Sequence, residues 1–283
     1  DPADPGARVV GARDLGRVDI VLPLLHGPYG EDGTIQGLLE MAEVRYVGCG
    51  VASSAVSMDK HLTKVVLAGA GIDVGRWELI TPLQWEADQG ACLERAAALG
   101  FPVFVKPCRA GSSVGISKVE SPEGLAVAVK EAQNHDPRVI VEAGVVGREV
   151  ECGVLGGRSD WRSATAPLGE IEVPDGEFYD YEHKYVDDVV GLVCPAKVAP
   201  AYEERVRETA LRAFDALECE GLARVDFFLD EDSGTVLVNE VNTMPGFTPI
   251  SMFPQMWAAA GIDYPALIDA LLEEAAARTV GLR

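Results

Sequence analysis

Two segments separated by a short polar turn constrain this chain most: Gly221-Leu222-Ala223-Arg224-Val225-Asp226-Phe227-Phe228 and Val238-Asn239-Glu240-Val241-Asn242-Thr243-Met244-Pro245-Gly246. They read as a β-hairpin turning near Asp232-Ser233-Gly234. Folded about Ser233, the hairpin sets Asp226 opposite Glu240 and Arg224 opposite Asn242. Phe228 and Val238 extend the same face, because side chains alternate along a strand. Two carboxylates facing each other across a ladder lie roughly 5 Å apart and repel. A solvated edge hairpin would tolerate them. Here Val225, Phe227, Phe228 and Val241 make both faces read as buried, and buried carboxylates need partners. A pair of Mg²⁺ ions answers that need, since hard cations take oxygen from Asp, Glu and Asn and complete their shells with phosphate oxygens. The hairpin therefore reads as a metal–nucleotide platform, closed by Pro245-Gly246 with backbone N–H groups exposed in the loop.

The rest of the chain sets bounds on this reading. At 283 residues and 48% hydrophobic it can bury a sizeable core in two or three subdomains. A formal charge of −21 excludes a nucleic-acid partner, whose footprint is basic. It also means that any phosphate site is built from a few local cations. No apolar run approaches the roughly 20 residues of a membrane-spanning helix. Asp1 to Gly6 carry neither a basic nor an apolar leader region, so no signal peptide is expected. Six scattered cysteines argue for reduced thiols in a cytoplasmic protein rather than a disulfide frame or zinc site.

Along the chain, residues 19–25 read as a strand, 26–33 as a loop, and a helix follows with Thr34 as its cap; residues 44–47 form a second strand in a parallel unit. A helix is expected from Met58 to Leu67. Strands at 101–107 and up to Val119 flank a tight turn at 109–115, followed by a helix over 124–135 and a strand over 139–142. From about Gly147 the chain is sheet-rich, with an aromatic loop over 175–188, a helix over 202–217, the hairpin, and a last helix over 265–278.

Several further groups carry chemistry. Lys106 ends an apolar strand beside the Gly111–Gly115 turn, whose N–H groups can form an anion-binding nest, with Ser112 and Ser113 adding hydroxyls. An ordinary hairpin with a solvated lysine is the equal alternative. Lys60 and Lys64 share a helix face, which matters only if that face closes on the same cleft. Glu142-Ala143-Gly144-Val145-Val146-Gly147-Arg148-Glu149 leaves a buried strand and suits a purine edge and a ribose diol, or is simply a linker. Phe178-Tyr179-Asp180-Tyr181-Glu182-His183-Lys184-Tyr185 suits a lid that closes over substrate. The histidines, His26 among them, show no acid–base signature.

Taken together, these motifs resemble the ATP-grasp enzymes, and within them the D-alanine–D-alanine ligase family, from about Val18 to the C-terminus. The resemblance rests on His26-Gly-Pro-Tyr-Gly-Glu-Asp-Gly33, Val105-Lys-Pro107 with Gly111-Ser-Ser-Val-Gly115, Phe178 to Tyr185, Arg224-Val-Asp226 and Asn239 to Gly246. It implies a mixed α/β and α+β ATP-grasp fold in three subdomains, 1–57, 58–144 and 145–283, with ATP between the last two. It implies ATP and two Mg²⁺ (or Mn²⁺) held by Asp226, Glu240 and Asn242, with peptidoglycan precursor synthesis from two D-alanine molecules through an acyl phosphate. By the same resemblance Lys64, Lys106 and Lys184 contact phosphates, while Glu142, Val145, Glu149, Tyr179 and Phe228 hold the nucleoside. Arg224 and the N–H of Gly246 meet the oxyanion. Ser251 and Met252, together with Gly246, hold the second D-alanine, His26 and Glu31 line the substrate side, and Ser112 and Tyr185 latch the lid.

Tyr185 favours an amine as attacking group over D-lactate. A homodimer is expected from the family. Residues 1–17 do not match the family's Gly-Gly-x-Ser-x-Glu segment, so the chain is expected to be a piece of a longer protein. The alternatives are a D-lactate or D-serine ligase and a non-catalytic ATP-binding module.

Overall fold

Among the described residues, three sheets organise the fold. The computed structural model describes residue 16 and residues 18–111, 114–156, 164–172 and 191–279. Ser112, Tyr179, Lys184, Tyr185 and the aromatic loop as a whole lie outside the described residues.

The first sheet pairs β1 (Ile20–Val21) with β2 (Arg45–Tyr46) in parallel across α1 (Thr34–Met41). The strand expected over 19–25 is thus only two residues long, because Pro23 has no N–H to give a ladder, and Leu24 and Leu25 are exposed. Thr34 is not the cap of α1 but its first residue; Gly33 caps it at φ 88°, where a Cβ would lie 2.7 Å from the Val51 carbonyl oxygen. An uninterrupted α2 (Val51–Met58) follows, and Asp59 separates it from α3 (Lys60–Gly69) by accepting from the N–H groups of His61 and Leu62 at 3.1 Å. The helix expected from Met58 therefore starts at Lys60.

The second sheet is antiparallel, ordered β3-β6-β4-β5, from β3 (Trp77–Ile80), β4 (Val103–Pro107), β5 (Ser117–Val119) and β6 (Val139–Ala143). Helices α4 (Pro82–Ala87), α5 (Gln89–Ala97) and α6 (Pro122–Gln133) complete this unit, whose core includes Ile80, Val103, Val105, Val129 and Val141.

The third sheet runs β10-β9-β7-β11-β12 with β8 on β7. Its strands are β7 (Arg148–Leu155), β8 (Ala164–Thr165), β9 (Gly169–Glu172), β10 (Gly191–Val193), β11 (Leu222–Asp230) and β12 (Thr235–Asn242), with helices α7 (Pro200–Ala216), α8 (Met252–Ala259) and α9 (Tyr264–Ala277). One face packs Val150, Cys152, Val225 and Phe227 against Val206, Ala210, Ala213 and Phe214 of α7. On the other face α8 comes so close that a Cβ on Gly153 would lie 3.1 Å from the Trp257 indole nitrogen. A Cβ on Gly169 would run into the Met252 sulfur. Gly169→Ala is expected to lower stability by about 1–3 kcal/mol through overpacking; a urea midpoint equal to that of the parent would contradict this packing.

The hairpin has the register expected at its functional end: Arg224 faces Asn242 and Asp226 faces Glu240. Beyond Asp226 a β-bulge shifts the pairing, so Phe227 faces Val238 and Phe228 faces Leu237. Val238 consequently turns into the core, 1% exposed, and does not extend the polar face as the simple alternation predicts. Its N–H donates to the Asp73 carbonyl at 3.0 Å, tying β12 to the segment after α3.

Candidate active site

The acidic face of the third sheet is richer than the hairpin alone. Register places Glu151 of β7 beside Asp226 of β11, which is beside Glu240 of β12. Three carboxylates thus form one row across adjacent strands. Arg224 balances part of this charge: its Nε and Nη2 each donate to Asp226 at 2.7 Å, and its Nε lies 3.3 Å from Glu151. Burial would lower the guanidinium pKa, yet the charges of Asp226 and Glu151 hold it well above its ordinary value. The Asn242 amide donates to Asp226 at 2.9 Å. Sequence reasoning missed Glu151, whose neighbours in space are far away in the chain.

Glu240 is where motifs from separate regions meet. Its charge acts on Glu31 of the loop before α1, on Lys60 of α3, on Lys106 of β4 and on Arg224 of β11. Among the described residues no three His, Cys, Asp or Glu side chains form a metal site by themselves. Two facing carboxylates and an amide oxygen donor nevertheless match the hard-oxygen preference of Mg²⁺, provided phosphate oxygens complete the shell.

The lysines lie across from this face and share one counter-ion. Glu142 accepts from Lys106 at 2.6 Å and from Lys64 at 2.9 Å, and all three side chains are largely buried. The Glu142 carboxylate is thus engaged by both lysines. Lys60 points its ammonium at the Ala110 carbonyl, 2.8 Å away, and so anchors the start of the glycine-rich turn instead of joining the pair. Burial pushes Glu142 up, but the ammonium groups of Lys106 and Lys64 outweigh it and hold the carboxyl at about 2. Stability from this clamp is complete above the ordinary carboxylate value of 4.5 and is lost as pH falls through about 2. Glu142→Ala is expected to remove about 3–5 kcal/mol by stranding two buried ammonium groups. A urea midpoint at pH 7 within experimental error of the parent's would rule out the clamp.

The remaining predicted residues flank this centre. His26 Nδ1 is 2.9 Å from the Met244 carbonyl oxygen. The Glu31 carboxylate accepts from the Gly27 N–H at 2.6 Å, and burial raises its pKa above the usual value. Ser251 stands at the residue before α8 but makes no capping hydrogen bond; its hydroxyl accepts from the Thr248 N–H at 3.1 Å and lies 2.8 Å from the Thr248 hydroxyl. A Cβ on Gly246 would lie 3.0 Å from the Ser251 Oγ, so glycine keeps the hydroxyl accessible to a ligand. Met252 buries its side chain against Gly169 and can offer a ligand only its backbone at the first turn of α8. Phe228 is half-buried beside Leu237. Val145 lies next to Gly75, and the Glu149 charge reaches Lys106. No helix among the described residues is long and apolar enough to cross a membrane.

Residues 66–273 match the family model described as D-ala D-ala ligase C-terminus, and residues 3–49 match the corresponding N-terminus. A D-alanine–D-alanine ligase of Pseudarthrobacter chlorophenolicus is 56% identical over 274 residues, covering 96% of this chain and 72% of the relative. Among solved structures, a D-Ala:D-Ser ligase from Enterococcus faecalis superposes with a TM-score of 0.82 at 39% identity, covering 92% of this chain and 73% of that one. A D-alanine–D-alanine ligase from Bacillus anthracis complexed with ATP gives 0.77 at 30% identity, covering 91% and 79%.

Proposed function

This chain belongs to the D-alanine–D-alanine ligase family and has its ATP-grasp fold, and on that premise we propose a role for each residue of the cleft. The activity is ATP-dependent joining of two D-alanine molecules for peptidoglycan synthesis. The observation that carries the role assignment is that Glu240, which faces Asp226 across the hairpin, acts by its charge on Lys106, which shares the Glu142 carboxylate with Lys64, while Arg224 grips Asp226.

When ATP enters, Lys64 and Lys106 exchange Glu142 for phosphate oxygens, with Lys184 reaching the γ-phosphate from the lid. Val145, Glu149, Phe228 and Tyr179, with the backbone at Glu142, surround the nucleoside. Asp226, Glu240 and Asn242 would hold two Mg²⁺ (or Mn²⁺), whose charge would neutralise the phosphates during transfer to the first D-alanine carboxylate. His26 and Glu31 line the pocket of that first substrate. The amine of the second D-alanine, once it has lost a proton, attacks the carbonyl carbon of the acyl phosphate; Arg224 with the Gly246 N–H stabilises the oxyanion that forms, and inorganic phosphate leaves as the peptide bond is made. Ser251 and the Met252 N–H position the second carboxylate, using donors at a helix N-terminus. Ser112 and Tyr185 latch the lid. We place ATP between units 58–144 and 145–283, with 1–57 as the N-terminal unit, in a cytoplasmic homodimer.

Loss of the lysine clamp tests the nucleotide assignment. Lys106→Met is expected to raise the KM for ATP about 10–100-fold, as deletion of one charge-assisted phosphate contact does. An unchanged KM for ATP would remove Lys106 from the phosphate site. The likeness to a D-Ala:D-Ser ligase supports a second reading, in which D-serine is the acceptor. With both amino acids at equal concentration, mass analysis of the dipeptide decides between them. We expect D-alanyl-D-alanine to dominate, and a D-alanyl-D-serine majority would reverse the choice.

A further inference from the structure

We propose that Glu151 is a positioning residue for Arg224: it is the second carboxylate that holds the guanidinium in place once Asp226 is drawn to the metal. The proposal rests on the oxyanion and metal roles assigned above. Its starting point is the row Glu151–Asp226–Glu240 across β7, β11 and β12. Such a row, largely buried, is opposed by both desolvation and like-charge repulsion. The fold retains it, and Arg224 is the cation it surrounds.

Arg224 and the two carboxylates it touches are not equally buried. Glu151 is 4% exposed, whereas Asp226 is 12% and Arg224 19% exposed. Glu151 is therefore the deepest member and the least able to reach a phosphate. Asp226 grips Arg224 through two hydrogen bonds, from Nε to Oδ1 and from Nη2 to Oδ2. A metal ion binding Asp226 competes directly for those oxygens. Arg224 then needs a counter-charge that the metal does not claim. Glu151 is already 3.3 Å from its Nε, on the strand opposite Glu240. Held through Nε, the guanidinium keeps its Nη groups free to meet the developing oxyanion. Arg224 itself stands beside Gly153, whose lack of a side chain lets α8 close over this end of the row. Glu151 thus fixes the guanidinium from the β7 side, away from Glu240 on β12.

The test is a double-mutant cycle with Glu151→Gln, Arg224→Lys and the pair. Each variant is assayed for kcat and for the KM of ATP, and by calorimetry for binding of Mg·ADP. Glu151→Gln is expected to lower kcat about 10–100-fold, as loss of a partner that orients an active group does. The KM for ATP and Mg·ADP binding should stay within about twofold, which follows from a role confined to orientation. In the Arg224→Lys background the same substitution should cost less than about twofold, because the geometry it protects is already lost.

Equal losses in the two backgrounds would overturn the proposal, as would a loss confined to Mg·ADP binding. If Glu151→Gln does not fold, Glu151→Asp keeps the charge but retracts it, and the same split between kcat and KM is required. Dipeptide formation by the parent protein is the control. Its failure would overturn the ligase reading itself, whereas an active parent with additive losses would overturn only the role of Glu151.

Discussion

Glu240→Gln is expected to abolish dipeptide formation while leaving the fold intact. Glu240 stands opposite Asp226, and its charge acts on Arg224 and Lys106, so in the proposed roles one carboxylate would serve both the metal pair and the charge balance of the site. Loss of metal-assisted charge neutralisation during phosphoryl transfer removes several kcal/mol of transition-state stabilisation. About 4 kcal/mol corresponds to a fall in kcat of about a thousandfold. Glutamine fills the same volume and ends the repulsion with Asp226, so the urea midpoint should be unchanged or slightly higher. Substantial turnover in this variant would remove Glu240 from the metal assignment, and a collapsed midpoint would assign it to the fold instead.

Arg224→Ala should produce two separable losses. The first is catalytic: removing a donor aimed at an oxyanion typically costs about 10²–10³ in kcat. The second is structural, and its sign depends on pH. Without the guanidinium, Glu151, Asp226 and Glu240 share a buried row with no arginine to balance them. Their protonation in the folded state then costs less than it does beside the guanidinium, so acid destabilises the variant less than the parent. The variant should therefore gain stability between pH 7 and pH 5 relative to the parent. Denaturant midpoints at the two pH values check this. A stability deficit that does not change with pH would show that the arginine is not the row's counter-charge.

The sequence made the functional end of the hairpin legible because two short-range rules sufficed: strand alternation and a polar turn. Those rules placed Arg224, Asp226, Glu240 and Asn242 on one face, and the register agrees. They missed the bulge after Asp226, because one extra residue in a strand leaves no mark on composition. Val238 was consequently assigned to the wrong face, and Leu237 stands beside Phe228 instead. Glu151 was illegible for a different reason. Nothing near it in the chain announces that β7 will lie against β11.

The Glu142 carboxylate suggests a purine partner when read beside Glu149. The structure sets it between Lys64 of α3 and Lys106 of β4, a relation between separate elements that no local pattern announces. Some elements could have been found. Helix α4 begins with a capping box in which Thr81 and Gln84 satisfy each other's backbone groups. Helices α2 and α8 carry no such side-chain cap and are held mainly by what they bury. The spacing of the lysines showed a shared face but could not show that Lys60 turns to the Ala110 carbonyl while Lys64 turns to Glu142.

The most direct test of this account is to incubate the protein carrying these 283 residues with Mg·ATP and D-alanine, then measure ADP, phosphate and dipeptide together. The account predicts D-alanine-dependent release of ADP and phosphate in step with D-alanyl-D-alanine, identified by mass. Binding of Mg·ATP with no D-alanine-dependent ADP and no dipeptide would contradict it.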